Sequence, residues 1–244
     1  MKLEKTYVGP MWLLEDRQGI VSGVSRAVRR GGYEKASLDL LGNYLQPNMI
    51  GLDVGANIGV YSVFVSQRIG NGTVYAFEPH PELYSVLAKN AELYKNIHSF
   101  NFGLWNECSG SLLGYLDGYT NTKYTFEVLI GDDILQNVEK VDFIKIDVDG
   151  AEVGVLKGLQ NLIKKSLKLF VIIELYNEGL NRFGSSMEEF FTLIESLGFE
   201  YGRIISKNTI DLKNDKEKLM KLYTKKSYCN LLLYKGIKPF WEEK

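Results

Sequence analysis

From about Lys35 the chain alternates between stretches of helical period and apolar runs of strand length. Few folds satisfy such an alternation, because strands joined through helices lie parallel in a sheet that the helices cover. A first helical stripe of Ala36, Leu40, Leu41, Tyr44 and Leu45 stops at Pro47, and a strand follows from Met49 to Val54. A helix over Gly59–Arg68, the turn GNGT (Gly70–Thr73), a strand TVYAFE and a helix PELYSVLAKNAELY complete two strand–helix units. A third strand is expected over Ile97–Trp105, then a β-rich excursion whose Gly, Tyr and Thr content argues against helix. VDFIKIDV (Val141–Val148) is apolar enough for a central strand buried on both faces, with AEVGVLKGLQNLIKK as its helix and Leu167–Leu175 as the fifth strand. Ser185 and Ser186 each precede a glutamate by three residues, so either can cap the helix MEEFFTLIESLG. Tyr201–Lys207 and Tyr228–Gly236 read as two strands without a helix in phase, which suggests an antiparallel pair on the sheet edge. Residues Met1–Gly32 stay outside the alternation and are expected to form a cap or lid over the carboxyl edge, with residues 33–244 as the main domain.

With 244 residues and 45% hydrophobic content the chain can bury a sizeable core. A net charge of −1 leaves no electrostatic footprint for a polyanion, so nucleic acid is not an expected partner. Cys108 and Cys229 are far apart and lack metal spacing, as suits a reducing compartment. No window has the length of a membrane span, and the first residues lack an apolar leader. A soluble cytoplasmic protein is the expectation.

Ligands of open parallel sheets bind beyond the carboxyl ends of the strands. Here those ends carry Asp53, Glu78, Asp147 with Asp149, and Glu174, although any one acid after a strand can equally serve as a helix cap. The first strand runs into LDVGANIGVYS, where Gly55, Asn57 and Gly59 alternate. A pyrophosphate fits this loop poorly: Asn57 stands where a dinucleotide site wants its second glycine, and the Asp53 carboxylate would repel the phosphates. The amino-acid tail and sulfonium of S-adenosylmethionine fit better, because Asp53 attracts cations, the glycines allow close backbone approach, and Asn57 can donate or accept. Glu78, at the tip of the second strand, can accept both hydroxyls of an adenosine ribose.

The segments LDVGANIGVYS (Leu52–Ser62), VYAFEPHPE (Val74–Glu82), LIGDDIL (Leu129–Leu135), VDFIKIDVDGAEVGVLKG (Val141–Gly158) and IIEL (Ile172–Leu175) resemble the FkbM family of S-adenosylmethionine-dependent methyltransferases. The resemblance runs from about Gly32 to Gly198. It implies a class I methyltransferase fold: α/β, Rossmann-like, seven strands in a mostly parallel sheet, helices on both faces and an antiparallel C-terminal edge. It further implies that Asp53, Gly55, Asn57 and Gly59 contact the methionine moiety and Glu78 the ribose. The family is associated with O-methylation of sugars and of hydroxyl groups on natural products. The sequence departs from the family at Gly131, where leucine is commoner, and at Asp149, where glutamate is.

Methyl transfer to a hydroxyl requires alignment and a proton acceptor. Asp147, Asp149 and Glu152 cluster in sequence after the fourth strand, and Glu174 ends the adjacent one; Asp147 or Asp149 is the expected base, with Lys145 available to orient Asp147 and Asp147 also within the cofactor set. Asp149 and Glu152 have an alternative as helix cap and first-turn acid, and the group could instead bind Mg2+ through oxygen ligands. His80 follows Glu78 closely and could touch adenine or substrate, whereas His98 reads as structural. Arg26–Arg30 could grip an acidic glycan or face solvent, and Tyr115, Tyr119 and Tyr124 could form a sugar platform. The expected activity is O-methylation of a sugar or glycan hydroxyl. N-methylation of a peptide or amine, and a catalytically silent cofactor-binding module associated with a glycosyltransferase, are the alternatives.

Overall fold

A computed structural model of the protein describes residues 1–15, 21–107, 112–115, 123–204 and 229–237. The chain divides into two units, Met1–Gly103 with Ser109–Val128, and Leu104–Cys108 with Leu129–Lys244.

The first unit opens with an antiparallel hairpin of β1 (Lys2–Thr6) and β2 (Gly9–Leu13), followed by α1 (Val21–Arg29) and α2 (Lys35–Gly42). Then come β3 (Ile50–Val54), α3 (Val60–Ser66), β4 (Thr73–Phe77), α4 (Pro81–Glu92) and β5 (Ile97–Phe100). β3, β4 and β5 pair in parallel, Leu52 opposite Tyr75 and Val74 opposite Ile97. Every residue of α3 is buried, which explains why its sequence lacks a polar stripe. The hairpin is fastened to α3 and α4 by polar side chains. Asn90 accepts the Trp12 N–H at 2.5 Å and donates to the Trp12 and Ile58 carbonyls; Gln67 donates to Val8 O, and the Tyr94 hydroxyl to Pro10 O. In α1, Arg29 pairs with Glu4 at 2.8 Å.

The strand expected over Ile97–Trp105 is two strands. β5 stops at Phe100 because the Asn101 side chain turns back to donate to the Glu78 and Pro79 carbonyls. β6 (Gly103–Trp105) begins separately, the Gly103 N–H donating to Glu127 O at 2.8 Å. The β-rich excursion contains the antiparallel pair β7 (Leu112–Tyr115) and β8 (Lys123–Phe126), and β9 (Val128–Ile130) follows. Tyr119 and Cys108, and the side chains of Tyr115 and Tyr124, lie outside what the structure describes.

The second unit holds α5 (Gly131–Ile134), β10 (Phe143–Ile146), α6 (Glu152–Gly158), α7 (Gln160–Lys165), β11 (Leu169–Leu175), α8 (Asn177–Arg182), α9 (Met187–Ser196), β12 (Tyr201–Ile204) and β13 (Cys229–Lys235). β10 and β11 are parallel, while β13 runs antiparallel between β11 and β12, so the two C-terminal strands form the expected antiparallel edge. The charged stretch between β12 and β13 lies outside the described residues.

The helix expected from Ala151 to Lys165 breaks at Leu159. Two tertiary contacts account for the break. Asp132 of α5 accepts the Asn161 and Leu162 N–H groups at 2.9 and 2.8 Å, capping α7 as a new helix. At Gly158 the chain passes so close to Trp105 that a Cβ would lie 2.1 Å from its carbonyl oxygen. The departure at Gly131 is also explained, since a Cβ there would lie 2.4 Å from Leu159 Cδ2. Of the two candidate serines, Ser186 caps α9 by accepting the Glu189 N–H, while the Glu189 carboxylate pairs with Lys157 instead of closing the box.

Candidate active site

In the first unit the β3–α3 loop is built on left-handed backbone at alternate residues: Gly55, Asn57 and Gly59 have φ of 79°, 53° and 87°. Glycine reaches this region without cost and asparagine tolerates it. The Gly55 and Ala56 N–H groups both donate to Phe77 O at 2.9 Å, tying the loop to the end of β4. A Cβ on Gly59 would lie 2.8 Å from Leu87 Cδ1, so the loop also presses on α4.

Two buried carboxylates brace this loop. Asp53 Oδ2 accepts the Ser62 N–H at 3.0 Å and its hydroxyl at 2.5 Å, which caps the first turn of α3 from a distance. Glu78 Oε2 accepts the Asn57 N–H and Oε1 the His80 N–H, each at 2.8 Å. Both acids are at most 5% exposed. An oxygen holding one amide still has a second acceptor direction, so Glu78 can hold its loop and accept a hydroxyl as well. His80 caps α4 through Nδ1, which accepts the Leu83 N–H. Burial lowers its pKa, partly countered by Glu82, so the ring is a neutral acceptor. Tyr61 donates to Glu34, a non-glycine residue with φ of 44°; burial and the Glu34 charge push the phenol well above its ordinary value. His98 stacks on Tyr75 at 5.6 Å, consistent with a structural part.

In the second unit the acids after β10 influence one another electrostatically. Asp147 Oδ2 lies 3.1 Å from Lys145 Nζ, and Lys145 is 2% exposed. Burial pushes Asp147 upward, but the Lys145 charge and hydrogen bonds from Glu174 and Lys145 outweigh it, and Asp147 lies below the ordinary aspartate value. Asp149 is exposed with φ of 53°, and α6 receives no side-chain cap, so Asp149 does not serve as its N-cap. Glu152 is 1% exposed; Oε1 accepts the Gly150 N–H at 3.0 Å, and Oε2 has no partner. Burial raises the Glu152 pKa to about 7, the Gly150 amide and its own amide opposing and the Asp147 and Asp149 charges adding.

Among the described residues no group of three or more His, Cys, Asp or Glu side chains is arranged to hold a metal ion. The Mg2+ considered from the sequence therefore finds no fitting donor set in this cluster. Asp147 takes Lys145 as its cation instead. The N-terminal loop offers anionic acceptors and backbone without side chains, which fits a cationic, hydroxyl-bearing cofactor. Among the described residues, no helix is long and apolar enough to cross a membrane.

Parallel strands ending in acids, a left-handed loop after the first of them and an antiparallel C-terminal pair define the class I methyltransferase fold. An S-adenosylmethionine-dependent O-methyltransferase from Thermotoga maritima superposes with a TM-score of 0.50 at 10% identity, over 85% of this chain and 67% of its own. Residues 53–201 match the methyltransferase FkbM domain, and the chain belongs to that family. The hexuronic acid methyltransferase AglP of Haloferax volcanii is 29% identical over 51% of this chain and 54% of its own length. Methyltransferase 1 of Beauveria bassiana is 27% identical over 45% and 58%. The chain thus spans a little over half the length of these relatives.

Proposed function

We propose that the protein is an S-adenosylmethionine-dependent O-methyltransferase acting on a hydroxyl of a sugar or glycan. The observation that carries this reading is Asp147, held as a carboxylate by Lys145 at the end of β10. S-adenosylmethionine, when bound, supplies an electrophilic methyl group. Asp53, Gly55, Asn57 and Gly59 bind its methionine portion, and Glu78 accepts the ribose hydroxyls. Asp147 orients the acceptor hydroxyl and takes its proton, with Asp149 and Glu174 beside it to bind the acceptor. A sugar acceptor is supported by the hexuronic acid methyltransferase among the relatives. Residues 1–32 and the β7–β8 excursion are assigned to acceptor selection, where loops on a rigid scaffold vary most. A cytoplasmic setting belongs to the same proposal.

S-adenosylhomocysteine at a hundredfold excess over Kd is expected to stabilise the fold by about 2.7 kcal/mol, and NAD to leave the melting temperature unchanged. The reverse pattern would sink the proposal. Asp147→Asn is expected to lower turnover on a responsive glycan by about 10²- to 10⁴-fold with S-adenosylhomocysteine affinity unchanged. Retained turnover on that glycan would remove Asp147 as the base, whereas turnover confined to peptide or amine acceptors would favour N-methylation, which needs less help with the proton. Cofactor binding without turnover across a panel of hexuronic acids and glycans would favour a silent module.

A further inference from the structure

The turn that leads into α6 is held from two sides. Asp149 and Gly150 follow one another with φ of 53° and 114°, a left-handed pair that needs support outside its own backbone. On one side Gly150 meets α8 so closely that a Cβ would lie 2.2 Å from the Gly179 carbonyl carbon. On the other its N–H is taken by Glu152 Oε1. That glutamate is buried, its Oε2 has no hydrogen-bond partner, and Lys145 forms its ion pair with Asp147. A carboxylate so placed would be an uncompensated charge beside two further acids, whereas a carboxylic acid needs no cation and still accepts an amide through its carbonyl oxygen.

We propose that Glu152 is a positioning residue that works as a neutral carboxylic acid, its Oε1 clamping the Gly150 amide and thereby setting the turn on which Asp147 and Asp149 stand. The rise of its pKa to about 7 agrees with this arrangement. The importance of the clamp for methyl transfer rests on the roles proposed above for the two aspartates; the clamp itself does not. Ordinary first-turn glutamates face solvent and act as anions on the helix dipole. Glu152 is the opposite case, since it serves the turn before the helix rather than the helix itself.

The test uses the full chain without ligand. The infrared difference between wild type and Glu152→Gln is expected to show a protonated-carboxyl band at acidic pH that fades as pH rises through about 7. Glutamine preserves the accepting oxygen, so Gly150 amide exchange in this variant should match wild type. In Glu152→Ala it should be roughly five- to tenfold faster, as loss of one hydrogen bond implies. A wild-type protein without the band overturns the proposal, and so does unchanged Gly150 exchange in the alanine variant. Glutamine exchanging as fast as alanine would mean that the anion is required, and overturns it equally. If the alanine variant does not fold, the infrared band and the glutamine variant still decide. Failure to bind S-adenosylhomocysteine would defeat the methyltransferase reading and leave these readouts unaffected.

Discussion

The two units place carboxylates around the carboxyl ends of parallel strands and treat them in opposite ways. Asp53 and Glu78 in the first unit receive backbone N–H groups and a serine hydroxyl. Asp147 in the second is paired with a buried lysine, and Glu152 feels the Asp147 and Asp149 charges with no cation of its own among the causes of its shift. Amides and hydroxyls hold a carboxylate by hydrogen bonds, so the first arrangement yields a braced loop. Acids that compete for one cation are driven apart, Asp147 downward by Lys145 and Glu152 upward by burial. The first suits holding a cofactor and the second suits accepting a proton.

The sharpest contrast is steric. Gly150→Ala puts a methyl group 2.2 Å from the Gly179 backbone at a φ of 114°. With backbone on both sides unable to yield, a loss of about 4 kcal/mol or more in urea unfolding is expected. Gly59→Ala in the first unit meets only the flexible end of Leu87, so about 1–2 kcal/mol of backbone strain should account for its cost. Equal losses would remove the distinction between a clamped turn and a braced loop.

Next in size is the response to pH. The folded state binds the Glu152 proton more tightly than the unfolded chain between the ordinary glutamate value of 4.5 and about 7. Stability therefore falls as pH rises through that window and levels off above it, by on the order of 3 kcal/mol for this group alone. Glu152→Gln should remove this component of the pH profile, measured by chemical unfolding at several pH values. A glutamine variant with the wild-type slope would place the proton elsewhere.

Asp53→Ala strips the Ser62 N–H and hydroxyl of their acceptor in a buried site. A loss of about 2 kcal/mol is expected, with weaker S-adenosylhomocysteine binding in calorimetry. The smallest effect falls on Asn57: alanine at its φ of 53° should cost about 1 kcal/mol, while glycine should leave thermal stability nearly unchanged. A destabilised glycine variant would show that the Asn57 side chain, which accepts the Ile58 N–H, matters more than the backbone it permits.

Much of the scaffold was legible from residue order. Periodicity and turn residues located β3, β4, β10 and β11 to within a few residues, and the antiparallel C-terminal pair. Segments whose ends depend on distant partners were misread. Asn101 bonds back to Glu78 and cuts one expected strand, and Asp132 caps α7 across the chain and cuts one expected helix. Within the candidate site the acids themselves were visible, but Glu152 looks like any first-turn helix acid until its burial is known. Lys145, an odd residue in an apolar strand, was the one signal that a buried charge pair lay there.

The sequence by itself determined the order of strands and helices, the left-handed loop with its glycines and asparagine, and which acids stand at the strand ends. These depend on short-range sterics and on periodicity, which act between residues close in the chain. Only the tertiary structure decided which of those acids are buried, which stands beside a cation and which turn they hold. Desolvation and Coulomb interaction depend on distances through space, and linear order does not encode them.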